Sequence, residues 1–141
     1  MSKEKQATRQ ERLEELFAGS PVQRTLGTTL RYEGGGDAIV RFPLNGAYEN
    51  ALGSIHGGIL AALIDTAGWF AAAACYDAWI VTVDLHVQLL APAMGGPIEA
   101  VGHVTRAGAR LAMTRMVVRT ADGVEVAVGQ GTFAVTSKTM A

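Results

Sequence analysis

The sequence predicts an α+β domain, an antiparallel sheet of about six strands wrapped around one long apolar helix, with a further helix at the N-terminus. Three observations predict it. A nearly continuous apolar run extends from Ile59 to Cys75. After it come stretches rich in Val, Thr and Ile, separated only by short turns, which suits antiparallel and not parallel pairing. The 141 residues are 49% hydrophobic and 18% charged, enough apolar surface for one buried core and too much for a disordered chain.

Taken in order, Lys5 to Ala18 reads as a surface helix. Leu13, Leu16 and Phe17 form its apolar stripe, and Gly19-Ser20-Pro21 stops it. The expected division is a helical segment over 1–20 followed by a single domain over 21–141. Two short strands are expected near Leu26–Glu33 and Asp37–Leu44, turned by Gly34-Gly35-Gly36. Asn45 to Ser54 is polar and irregular. The helix from Gly57 to Cys75 is apolar nearly all round, so most of its sides must be covered. Four strands follow, Ile80–Ala91, Pro97–Arg106, Ala109–Thr120 and Val124–Thr136. Asp122-Gly123 marks the last hairpin, because its turn positions favour positive φ.

Composition excludes several function classes. Twelve Lys+Arg against thirteen Asp+Glu give a net charge of -1 with no basic block, which is not a nucleic-acid binder's balance. The single cysteine, Cys75, rules out an internal disulfide and a cysteine-based zinc site. The charged run from Met1 to Leu16 lacks the apolar stretch of a secretion signal. Asp65 at the centre of the apolar helix would cost about 2.5–3.5 kcal/mol in a bilayer. The expectation is a cytoplasmic protein with neither nucleic acid nor membrane as partner.

The segment that can carry chemistry is Asn50 to Asp65, NALGSIHGGILAALID. Two glycines opening a helix cost about 1 kcal/mol each relative to alanine. The first N–H groups of a helix lack intrahelical partners and carry the positive end of its dipole, and glycine lets a ligand approach them. His56-Gly57-Gly58 therefore suits an oxyanion or anion site, or else simply a tight loop-to-helix turn with His56 packed nearby. Asp65, on an apolar helix, suits a general base or nucleophile, because an unpaired buried carboxylate is costly. The alternative is a carboxylate that reaches a backbone N–H or an arginine at the sheet edge. Gly57 and Asp65 lie eight residues apart, about 12 Å along one helix, too far to act on one carbonyl. If both serve one reaction, Asp65 must come from a second copy whose helix runs antiparallel across a two-fold axis. The catalytic reading thus predicts a homodimer with composite sites.

Asn-x5-His-Gly-Gly, the aspartate eight residues after the first of these glycines, and the strand TVDLHVQLLAPAMGG together resemble hotdog-fold thioesterases. The branch is that of the phenylacetate-degradation and human thioesterase superfamily member 2 proteins, and the resemblance spans roughly Leu26 to Val135. It implies the hydrolysis of an acyl- or aryl-acyl-CoA thioester to free acid and coenzyme A, with no metal or redox cofactor. It implies Asp65 as nucleophile or general base, the Gly57 N–H as oxyanion donor, and Asn50 orienting water or the carboxylate. His56 would be a hydrogen-bonding helper beside the thioester, and Thr82 would lie near the aspartate and water. Asn50 and Gly57 would come from one subunit and Asp65 and Thr82 from its partner, in a homotetramer built as a dimer of dimers. Leu89-Leu90 stands where relatives often carry an aromatic residue, so an aryl preference does not carry over.

The remaining polar and reactive residues take plainer readings. Cys75 reads as structural. Asp84, two residues from Thr82, is expected on the same strand face as a hydrogen-bond acceptor. His86 and His103 have no metal-ligand spacing. Trp69 and Phe70 read as core or dimer packing. Gly58, with Arg106 and Arg110, is a candidate for substrate contact, the arginines toward coenzyme A phosphates. A solvated sheet face is the ordinary alternative for these two and for Arg115 and Arg119. Two other functions fit such a fold. One is an acyl-CoA or acyl-carrier sensor, against which Asp65 and Asn50 argue. The other is a hydroxyacyl-thioester dehydratase using a histidine and an acid.

Overall fold

The structure, a computed structural model, describes residues 1–140. Helix α1 (Lys3–Gly19) starts where Ser2 Oγ accepts the Lys5 N–H at 3.2 Å, and it buries Leu13 and Phe17 on one face. Helix α2 (Pro21–Leu26) corrects the expected strand start at Leu26. Pro21 pre-sets the first helical turn and Gly27 closes it with a left-handed φ of 69°. A six-residue helix leaves too few apolar positions to show a period, which is why it reads as loop and strand.

The strands are β1 (Thr29–Glu33), β2 (Asp37–Phe42), β3 (Ala78–Leu89), β4 (Ile98–Ala107), β5 (Leu111–Thr120) and β6 (Glu125–Thr139). They form one antiparallel sheet in the order β1-β2-β4-β5-β6-β3, so β1 and β3 are its edges. Helix α3 (Gly57–Ala73) lies in the concave face and packs on β2 to β6. The predicted class, six strands wrapped around an apolar helix, is the observed one.

Close approach of helix and sheet depends on Gly102 of β4. A Cβ there would collide with the backbone carbonyl of Ala67, which cannot move aside as a side chain could. Leu63, Ile64 and Ala67 of α3 thereby pack into a core with Phe42, Phe133, Ile98 and Val118, all fully buried. Truncating a phenylalanine in such a core to alanine costs about 3–5 kcal/mol.

Two contacts dock α1 and β1 on the far end of α3. The buried Tyr32 hydroxyl donates to the Phe70 carbonyl at 2.8 Å, and burial pushes its pKa well above the usual phenol value. The Arg9 guanidinium pairs with Asp77 in the α3–β3 loop. Among the described residues no helix is long and apolar enough to cross a membrane.

Candidate active site

Helix α3 begins where the loop before it is pinned. The His56 N–H donates to the Tyr48 carbonyl at 2.9 Å and the Ile55 N–H to the Ala93 carbonyl at 3.0 Å. His56 is the N-cap, and its Nδ1 accepts the Gly58 N–H at 2.9 Å. That bond needs an unprotonated Nδ1, so the neutral ring carries its proton on Nε2 and presents a donor to solvent. It also occupies the Gly58 N–H, so that candidate substrate donor is turned back on its own cap. The Gly57 N–H has no acceptor among the described residues. A Cβ on Gly57 would come within 2.5 Å of Leu89 Cδ1, the end of an exposed side chain that would have to turn aside.

Two turns along α3, the Thr82 hydroxyl donates to Asp65 Oδ1 at 2.8 Å. Asp65 is half-buried and partnered, which corrects the expectation of an unpaired buried carboxylate. The open edge of β3 leaves this face of α3 uncovered, so the carboxylate keeps access to water. The structure brings Asp65 and Thr82 together in one chain, and it brings His56 and Gly57 together at the helix start. It does not bring the two pairs together, since eight residues of straight helix separate Gly57 from Asp65.

Asn50 has a local role. Its Oδ1 accepts the N–H groups of Leu52 at 2.9 Å and Ser54 at 3.3 Å, and its Nδ2 donates to Ser54 Oγ at 2.9 Å. The side chain is thus largely spent on shaping the loop over 50–54, with buried Ser54 as its partner. Ser54 went unnoticed in the sequence, although an Asn four residues before a Ser in a polar loop is a recognisable turn signal.

Asp84 does not share a face with Thr82. The β3–β6 register shifts between Thr82, which pairs with buried Phe133, and Asp84, which pairs with Thr132. This β-bulge at Val83 sends Thr82, Leu85, Val87 and Leu89 toward α3, and Asp84, His86 and Gln88 to the outer face. The same bulge places Leu89 against Gly57. A single extra residue on an apolar strand leaves no mark in the sequence.

Arg106 and Arg110 flank the β4–β5 turn, whose Gly108 carbonyl accepts the Tyr76 hydroxyl at 2.8 Å. Tyr76 lies beyond the C-terminal end of α3, so in one chain these arginines are at the opposite end of the helix from Gly57. Arg115 sits in a row across the outer face with His103, Gln130 and His86, and Arg119 pairs with Glu125 at 3.0 Å. Among the described residues no three His, Cys, Asp or Glu side chains are grouped to hold a metal. Burial raises the Cys75 thiol pKa and nearby Arg9 partly offsets it, so the thiol stays protonated and unreactive near neutral pH.

The profile of the thioesterase superfamily matches residues 52–127, which contain Gly57, Asp65 and Thr82. A protein of Halobacterium salinarum named "putative esterase" is 36% identical over 123 residues, covering 78% of this chain and 81% of that protein. The crystal structure of a thioesterase family protein from Silicibacter pomeroyi superposes with a TM-score of 0.82 at 26% identity, over 92% of this chain and 96% of that one. The E. coli PaaI protein of the phenylacetic acid degradation operon superposes with a TM-score of 0.84 at 21% identity, over 98% of each chain, a likeness of fold.

Proposed function

The chain belongs to the thioesterase superfamily, a family of thioester and ester hydrolases, and from that premise we propose that it hydrolyses an acyl-CoA thioester to a free acid and coenzyme A. The observation that carries this reading is Asp65, half-buried on an otherwise apolar helix with one oxygen held by Thr82. Fixing Oδ1 leaves Oδ2 to attack the thioester carbonyl or to take a proton from an attacking water. In either route the C–S bond breaks, the sulfur leaves as coenzyme A thiol, and water supplies the hydroxyl of the acid. The unpartnered Gly57 N–H, at the positive end of α3, would stabilise the oxyanion that forms on the carbonyl oxygen. The His56 Nε2–H would serve as a second donor.

The 12 Å problem calls for two chains. Support comes from β3, a twelve-residue edge strand with Val81 and Val83 50% and 61% exposed. Antiparallel pairing there would bring one chain's Gly57 toward the partner chain's aspartate, twice per dimer. A tetramer of two such dimers is the assembly that the family resemblance implies. A dehydratase would need His56 as a base, yet its Nδ1 is engaged by Gly58 and the neutral ring's Nε2 carries the proton.

The test is thiol release from short, medium, long and aryl acyl-CoAs, with wild type beside Asp65→Asn. The reading predicts turnover of at least one thioester and a fall of about 10²–10⁴-fold in the variant. Equal rates in both proteins would remove Asp65 from the mechanism. Binding without turnover would make the protein a sensor.

A further inference from the structure

Helix α1 segregates its charge. Lys5, Arg9 and Arg12 recur with Leu16 at i, i+4, i+7 and i+11, one stripe of the helix. That stripe is one wall of a cleft of about 470 Å³. Asp77 and Trp79, where β3 begins, and Met140, just past β6, stand opposite. The Met140 N–H donates to the Asp77 carbonyl at 2.9 Å, which ties this second wall together. Asp77 alone answers two of the cations. Lys5 Nζ lies 3.5 Å from its Oδ2, and the Arg9 guanidinium meets its Oδ1. The Arg9 side chain is only 10% exposed, so it is held within the wall. Arg12 has no ion pair among the described residues. The lining thus carries three cations, Lys5, Arg9 and Arg12, against two carboxylates, Glu4 and Asp77, while Glu11, Glu14 and Glu15 do not line it.

We propose that this cleft binds a nucleoside phosphate, its phosphate on Arg12 and Arg9 and its base against Trp79. The two halves of the lining call for two kinds of ligand surface. A guanidinium presents a fork of N–H donors that matches phosphate, and the fork of Arg12 is uncommitted. A phosphate dianion also outweighs the single surplus positive charge, so it can share Lys5 and Arg9 with Asp77. The half-buried Trp79, with Leu16 and Met140, offers a base an aromatic and aliphatic surface to stack on. A bare phosphate would leave that surface uncovered, and a purely apolar guest would cover Arg12 without answering its charge. The volume is in the range of small-molecule sites, about 300–1,000 Å³. None of the lining residues belongs to the group at Gly57 or the pair of Asp65 and Thr82, so the inference does not depend on the hydrolytic reading. The same chemistry has two sources, a free nucleotide and the nucleotide end of coenzyme A.

Isothermal titration calorimetry tests this with ADP, adenosine 3′,5′-bisphosphate and coenzyme A, beside adenosine and inorganic phosphate alone. Arg12→Glu reverses the uncommitted charge at an exposed position. Arg41→Glu makes the same change of net charge on exposed β2, away from the cleft. Trp79→Leu removes the ring. The inference predicts that at least one of the two adenosine phosphates binds about tenfold or more tighter than either adenosine or phosphate. Arg12→Glu should raise its Kd by about tenfold or more, and Arg41→Glu by no more than about twofold. Trp79→Leu should bring it down to the affinity of inorganic phosphate. Coenzyme A weakened by Arg12→Glu in step with that nucleotide would assign the site to the nucleotide end of coenzyme A. Coenzyme A unaffected by a change that weakens the nucleotide would assign it to a free nucleotide. The inference is overturned if neither adenosine phosphate binds, if phosphate or adenosine alone binds as tightly, or if Arg12→Glu weakens binding no more than Arg41→Glu. Every arm reads binding, so a failure to hydrolyse thioesters would leave the result standing.

Discussion

The two edges of the sheet are built on opposite principles. β1 is five residues long, and its outer side is laced by charge. Arg31 donates to Glu33 at 2.9 Å and, across β2, to Glu99 at 2.5 Å. α1 packs beside it. β3 is twelve residues long, and between Ala78 and Val83 it carries no charge. Short charged edges resist strand addition, and long apolar ones invite it. The difference fits the proposed assembly: β1 is suited to end the sheet, and β3 would be where a second copy continues it, beside Thr82 and Asp65.

The sharpest way to break this comparison is to give β3 the chemistry of β1. Val83→Lys places a charge at an exposed bulge position, where the lone chain has room for it. The expected result is dissociation to monomers in analytical ultracentrifugation, with kcat/KM down about tenfold or more as the composite site is lost. A dimer of unchanged affinity would show that β3 is not the joining edge.

A smaller effect is expected at β1. The Arg31 hydrogen bonds hold the Glu99 carboxyl below the usual carboxylate range. A lowered folded-state pKa stabilises above the unfolded value of about 4.3 and is lost as pH falls through the folded value. Both side chains are more than a third exposed, so solvent screening keeps the pair to about 1 kcal/mol or less. Glu99→Gln should lower the midpoint of urea unfolding slightly at pH 7 without changing oligomeric state. The gap to wild type should close on acidification below about pH 4. A gap that does not narrow on acidification, or a change in assembly, would contradict the assignment of β1 as a closed edge.

How far the sequence foretold this molecule depends on the scale of the feature. The apolar run at Ile59 and the Val/Thr-rich stretches were readable because each holds one period long enough to count. Gly57 and Asp65 stood out because each breaks a local rule, a glycine at a helix start and a charge on an apolar helix. The bulge at Val83 was not readable, because it is an accident of pairing with β6 and not of the composition of β3. With it went the face of Asp84 and the contact of Leu89 with Gly57. The contact between Trp69 and Trp79 was hidden for a related reason. Trp69 and Trp79 are ten residues apart, on different elements, and only the turn between α3 and β3 folds them together.

The central claim is that Gly57 of one chain and Asp65 of another serve one site, and subunit mixing tests it most directly. Gly57→Pro with Leu89→Ala removes the N–H. Proline suits the first helical position, His56 at ψ 133° is extended as proline requires of its predecessor, and the leucine change clears the 2.5 Å clash. Gly57→Ala with Leu89→Ala keeps the N–H and serves as the control. Loss of one oxyanion donor should cost about 10²–10³-fold in kcat. Co-expressed with Asp65→Asn, the proline variant should regain about a quarter of wild-type activity. Half of randomly mixed dimers are mixed, and each mixed dimer holds one intact composite site. Recovery near that level is the predicted result. Mixed dimers as inactive as either parent would place both groups in the same chain's site and contradict the account.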